Sequence, residues 1–145
     1  MDLRNIRLHY KFNSDPIAVR NALAGIVDGL STSALSGDDI SRLEIVLAEI
    51  MNNIVEHAYA ERPDGAIELH LDQVETRLHC KVLDEGRPMP GEKLPDGFAA
   101  NVEADFADLP EGGFGWFMIR DLTEGLRYSR RENRNHLEFE IPVTP

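Results

Sequence analysis

The sequence predicts an α/β fold: a two-layer α/β sandwich built on a mixed, largely antiparallel sheet of about five strands. Short segments that alternate apolar and polar residues occur once near the N-terminus and then as two pairs, each pair closed by a turn. Two longer segments between the first strand and the first pair repeat their apolar residues at helical spacing instead. The chain of 145 residues suits a single domain with one core, spanning residues 1–145.

In residues 4–13, Ile6, Leu8, Tyr10 and Phe12 share one face of a first strand. Asp15 then suits an N-cap with Pro16 at the first helical position, where a missing N–H costs nothing. Val19, Leu23, Ile26, Val27 and Leu30 mark the buried side of that helix, which ends within residues 31–37. Ser36 and Asp39 suit the cap of a longer second helix with Ile40, Leu43, Leu47, Ile50 and Ile54 inward. Arg62, Pro63, Asp64 and Gly65 stop it. Residues 66–73 and 77–84 form a hairpin, and residues 126–132 and 136–143 a second one around Asn133, Arg134 and Asn135. Between the hairpins, residues 90–110 hold prolines, acids and one short helix near residues 98–106. So long a pattern-poor stretch is expected to be a functional lid or mobile loop.

The formal charge of −11 disfavours a sequence-independent grip on nucleic acid, which depends on Lys and Arg neutralising phosphates. It does not disfavour a nucleotide neutralised locally by Mg2+ and backbone N–H groups. Eight acids against two bases, Arg87 and Lys93, lie between Asp84 and Glu111, whereas Arg120, Arg127, Arg130, Arg131 and Arg134 crowd the C-terminal end. These poles are suited to orienting a partner. Cys80 alternates with Leu78 and Val82 and reads as a core residue of a protein in a reducing compartment. No apolar run approaches the roughly 20 residues of a membrane helix, and residues 1–5 lack a signal peptide's apolar stretch, so a cytoplasmic location is expected.

Three segments carry chemistry. At roughly 100° per residue, Asn53 lies about 40° and His57 about 80° around the second helix from Glu49, bordering the apolar face about 130° away. A carboxylate at such a border suits a general base, and the Asn53 amide oxygen suits a hard cation such as Mg2+. Asp84 ends a strand and enters a turn containing Gly86, Arg87, Pro88 and Pro90. Gly112, Gly113, Phe114 and Gly115 open a helix ahead of Trp116, where bare N–H groups and the helix dipole favour phosphate. Alone, each segment also reads as ordinary structure: a solvated helix flank, a turn, a flexible loop before a core helix.

Taken in order, these segments resemble the GHKL (Bergerat-fold) ATPase family, and within it the anti-sigma-factor serine/threonine kinases. Glu49, Asn53, His57, Ala58 and Tyr59 match the E-x-x-x-N-x-x-x-H-A-Y motif, Asp84, Gly86 and Pro88 the D-x-G-x-P turn, and Gly112, Gly113 and Gly115 the later glycines. The resemblance runs over residues 13–142. It implies helices packed on one sheet face, ATP and Mg2+ as ligands, and adenine held between sheet and second helix. Asp84 would accept a hydrogen bond from the adenine amino group, a donor that an acceptor-only carboxylate complements.

The resemblance further implies phosphoryl transfer to a Ser or Thr of an anti-sigma antagonist, with Glu49 as catalytic base, Asn53 on Mg2+ and a sigma factor as sequestered client. Homodimerisation is left open. Two departures stand out. Related kinases often place an arginine just ahead of the later glycines, whereas this chain has Leu109, Pro110 and Glu111, so either Arg87 or Lys93 substitutes or turnover is slow. Trp116 replaces an aliphatic residue and reads as core packing. The competing reading is a nucleotide-binding module that sequesters a partner with little or no kinase activity. A third, the ATP-binding domain of a sensor histidine kinase, is disfavoured because the turn reads Gly86, Arg87, Pro88 rather than G-x-G.

Overall fold

A computed structural model describes residues 6–95 and 113–144, with the side chains of residues 113 and 114 excepted. The elements run β1 (Arg7–Asn13), α1 (Pro16–Ser31), α2 (Gly37–Asn53), a π-helical turn (Ile54–Ala58), β2 (Ala66–Val74), β3 (Arg77–Asp84), a 3-10 turn (Pro90–Glu92), α3 (Gly113–Leu122), β4 (Glu124–Arg131) and β5 (Arg134–Pro142). The expected short helix near residues 98–106, and the lid from residue 96 onward, lie outside the described residues.

Local chemistry sets the helix starts. Asp15 accepts from Ala18 N at 3.2 Å with Pro16 at the first position, and Ser36 accepts from Asp39 N at 3.1 Å. Asp39 does not share the capping as expected. It is buried, and its Oδ2 accepts from Thr144 N at 3.0 Å, which ties the end of the chain to the start of α2. The second helix also ends before residues 62–65. It widens into the π turn, and left-handed φ values of 50° at Ala60 and 65° at Glu61 then break it. Residues 62–65 are held elsewhere: Ser14, fully buried, donates to Arg62 O at 2.5 Å and accepts from Gly65 N at 2.9 Å.

The sheet order is β1-β2-β3-β5-β4, and each neighbouring pair is antiparallel. The expected mixed sheet is corrected by this topology. β3 and β4 run the same way, but β5 inserts between them, so no parallel pair forms. The second hairpin turns earlier than expected, at Glu132 and Asn133, whose φ values of 53° and 62° suit a tight antiparallel turn. Arg134 and Asn135 consequently belong to β5. One register face, Ile67, Leu69, Leu71, Leu78, Cys80, Val82, Leu137, Phe139 and Ile141, is buried with Leu43, Val46, Leu47, Ile50, Trp116 and Ile119 in a common core. Burial pushes the Cys80 thiol pKa up, as a core cysteine requires. The opposite face is polar and half-exposed, so the helices form a second layer on one side only.

Candidate nucleotide site

Asp84 ends β3 on the helix-facing side and is 5% exposed. Its Oδ1 accepts from Gly86 N at 2.9 Å and from Asn135 Nδ2 at 2.7 Å, while Oδ2 accepts nothing among the described residues. Burial raises the Asp84 pKa, and the bonds from Asn135 and Gly86 oppose that rise. The result is a nearly dry carboxyl with one acceptor oxygen to spare. That suits an exocyclic amine.

Asn135 is the hub of this corner. Its Nδ2 also donates to Arg87 O at 2.9 Å, and its Oδ1 accepts from Tyr128 at 2.5 Å and from Arg130 Nη1 at 3.0 Å. Arg130 Nη1 reaches Gly86 O at 2.6 Å, and Tyr128 accepts from Met89 N at 3.1 Å. The turn after β3 is thereby fixed along its length by side chains of β4 and β5. Sequence reasoning missed Asn135, Tyr128 and Arg130, although the strand pairing that sets Asp84 opposite Asn135 is the signal that finds them.

The same turn is clamped to the end of the π turn. Arg87 N donates to Ala58 O at 2.8 Å, and its guanidinium donates to His57 O through Nε at 3.2 Å and Nη2 at 2.9 Å. A helix end leaves its last carbonyls without partners, and these bonds satisfy two of them. Gly86 has no alternative here, since a Cβ would strike the Ala58 backbone carbonyl. Arg87, expected to be available for a phosphate, is therefore engaged in this clamp. Exposed Lys93 remains. Tyr59 completes the junction by donating to Ala66 O at 2.5 Å and accepting from Glu85 N at 2.7 Å, and burial raises its pKa.

Glu49 and Asn53 lie a turn apart on α2, both half-buried. Asn53 Nδ2 donates to Glu49 O at 2.9 Å, a bond that only the amide nitrogen can make to a carbonyl, so Oδ1 is left as an acceptor. An oxygen so presented fits the hard-ligand preference of Mg2+. A Cβ on Gly115 would lie 2.6 Å from Glu49 Oε2, so the first turn of α3 packs directly on this carboxylate. The structure thus brings Glu49 and Gly115 together, and Asp84, Gly86 and the backbone of His57. The His57 ring is exposed, 3.9 Å from Glu56 Oε2, and Pro88 is exposed on the turn. Gly113 starts α3, while Gly112 and the side chain of Phe114 lie outside the described residues. Trp116 is buried in the core, as its position suggested.

A sheet covered on one face, with a buried acid facing the helical layer and a glycine-opened helix against a carboxylate, makes a two-layer α/β sandwich with a cleft between sheet and helices. The profile of the histidine kinase-like ATPase domain matches residues 12–141, and the chain belongs to that family. ATP binding follows from membership. The chain is 28% identical to the serine-protein kinase RsbW of Bacillus subtilis over 127 residues, covering 87% of this chain and 74% of that protein. It is 31% identical to the serine/threonine-protein kinase BtrW of Bordetella bronchiseptica over 104 residues, covering 71% and 70% respectively. Its fold also superposes on a crystal structure of the RsbU and RsbW domains of Rv1364c from Mycobacterium tuberculosis with a TM-score of 0.66 at 17% identity. That match covers 95% of this chain and 32% of the larger one. The catalytic domain of histidine kinase ThkA gives a TM-score of 0.53 at 19% identity, covering 95% and 99%. Among the described residues no helix is long and apolar enough to cross a membrane.

Proposed function

We propose that this protein is an ATP-dependent serine/threonine protein kinase of the anti-sigma-factor type, which phosphorylates an antagonist protein and sequesters a sigma factor or equivalent regulator. The observation that carries the reading is the packing of Gly115 on Glu49, because it joins a candidate base to the helix start suited to phosphate. The names of the relatives support the same activity.

On this reading Asp84 Oδ2 takes the adenine amine, and the turn of Gly86 and Pro88 lies along the base. The backbone at the start of α3, from Gly113 to Gly115, binds the phosphates, with Gly112 and Phe114 assigned to the same role from the motif alone, and His57 flanks them. Asn53 Oδ1 would hold Mg2+, and the ion would supply positive charge to the phosphate oxygens. Glu49 orients the acceptor hydroxyl and takes its proton, and the hydroxyl oxygen attacks the terminal phosphorus of ATP as ADP leaves. The Gly115 contact restricts where the carboxylate can swing. A base so confined loses less entropy on reaching its reactive geometry.

Glu49→Gln tests the assignment, since it keeps shape and hydrogen-bonding capacity but removes the base. Phosphoryl transfer to a purified antagonist is expected to fall about 10²-fold with ATP affinity nearly unchanged. Equal single-turnover rates for wild type and variant would remove Glu49 from the chemistry. Partner sequestration without transfer by the wild type would favour the binding-module reading.

A further inference from the structure

The outer face of the sheet, opposite the helices, carries a side-chain cluster that the kinase reading does not use. His9 of β1 and His70 of β2 are directly opposed in register, and their rings stack with centroids 4.1 Å apart and planes inclined by 15°. Both Nε2 atoms approach one oxygen, Glu68 Oε1, at 2.8 and 3.1 Å. The other oxygen, Oε2, accepts from Arg134 Nη2 at 2.9 Å.

Two imidazoles converging on a single carboxylate oxygen gather two nitrogens and an oxygen at one point of the surface. If both are protonated, two cations stack face to face and repel. If both are neutral, both must hold their proton on Nε2 to bond the same acceptor. A divalent cation can instead accept one lone pair from each of the three atoms once the stacked rings rotate to bring their Nε2 atoms toward one point.

We propose that His9, Glu68 and His70 form a Zn2+-binding site on the outer face of the sheet. The three ligand atoms lie within 4.8 Å of one another. Arms of about 2.1 Å to a tetrahedral zinc set ligand atoms about 3.4 Å apart, so the two His–Glu68 separations must open by about 0.3 to about 0.6 Å and the two Nε2 atoms, within 4.8 Å of each other, must settle at that same spacing. Half-exposed rings at the surface permit that movement. Imidazole nitrogens select a borderline ion such as Zn2+ over Mg2+, which separates this site from Asn53. Arg134 is the positioning residue: it occupies Oε2 and leaves Oε1 aimed at the ion. With three protein ligands and a half-exposed setting, the fourth position falls to water.

Chelator-treated full-length protein, free of nucleotide, is titrated with Zn2+ against a chromogenic chelator. One ion per chain is expected, with at least a tenfold loss of affinity in His9→Gln and in His70→Gln. His79→Gln, on the same face but paired with Glu140 at 3.1 Å, is expected to bind as wild type does. Imidazole 15N spectra of the wild type provide a readout independent of the variants: Zn2+ should shift Nε2 of His9 and His70 together. Absence of stoichiometric binding tighter than about 10 μM, binding that survives both substitutions, or unshifted Nε2 resonances would each overturn the proposal.

Discussion

Asn135→Ala tests the corner that holds Asp84. The substitution removes a charge-assisted bond to Asp84 at 2.7 Å, a bond to Arg87 O at 2.9 Å, and the acceptor of Tyr128 and Arg130. The first is worth about 1.5 to 3 kcal/mol and the neutral bonds about 1 kcal/mol each. Part of this is recovered, because Arg130 keeps Gly86 O, Tyr128 keeps Met89 N and Asp84 keeps Gly86 N. A net loss of about 3 kcal/mol is therefore expected in urea unfolding near neutral pH. The pH dependence is the sharper test. Burial already raises the Asp84 pKa, and deleting the Asn135 donor removes a bond that opposed the rise. A carboxyl with a raised folded pKa contributes most to stability below its unfolded pKa, about 3.9, and loses that contribution as pH climbs through the folded value. The variant, with the higher folded pKa, loses more over that climb. The gap between wild type and Asn135→Ala should thus be largest near neutrality and narrow towards about pH 4. A gap below about 1 kcal/mol, or one that does not narrow in acid, would refute this account of the corner.

Gly115→Ala places a Cβ 2.6 Å from Glu49 Oε2, and because a side-chain end can yield where backbone cannot, the expected effect falls on phosphoryl transfer rather than stability. A displaced base should lower the single-turnover rate about 10²-fold with ATP affinity retained, and an unchanged rate would dissociate the contact from the chemistry. Asp84→Ala should weaken ATP binding by about 1.5 to 3 kcal/mol, one to two decades by calorimetry. Wild-type affinity should also fall as pH drops through the raised Asp84 pKa, since the ionised carboxylate is the stronger acceptor for the adenine amine, while the variant stays flat. A parallel decline in both proteins would assign the dependence to another group.

The helix starts at Asp15 and Ser36 and both hairpins were legible because caps, periodicity and turns are local properties of the chain. The errors lie where tertiary contacts override local preference. Asp39 could have capped α2, but burial beside Thr144 gives its carboxylate a backbone donor from the far end of the chain. Arg134 and Asn135 looked like turn residues, yet positive φ at Glu132 and Asn133 completes the turn earlier and sends both into β5. Arg87 looked free for a phosphate, and the carbonyl of His57 claims it.

The candidates for the chemistry were readable from the chain alone. Glu49, Asn53, Asp84 and the glycines are recognisable as types at fixed spacings, and spacing along a chain survives without coordinates. Tertiary structure alone decided how they are held. Asp84 owes its environment to Asn135, 51 residues away, and that pairing exists because β5 inserts between β3 and β4. Gly86 is required by the Ala58 backbone carbonyl that a Cβ would strike, and Gly115 leaves room for the Glu49 carboxylate, neither because of a turn it makes itself. The cluster of His9, Glu68 and His70 likewise forms only when β1 pairs with β2 in one register, because a shift by one residue would turn either imidazole to the opposite face.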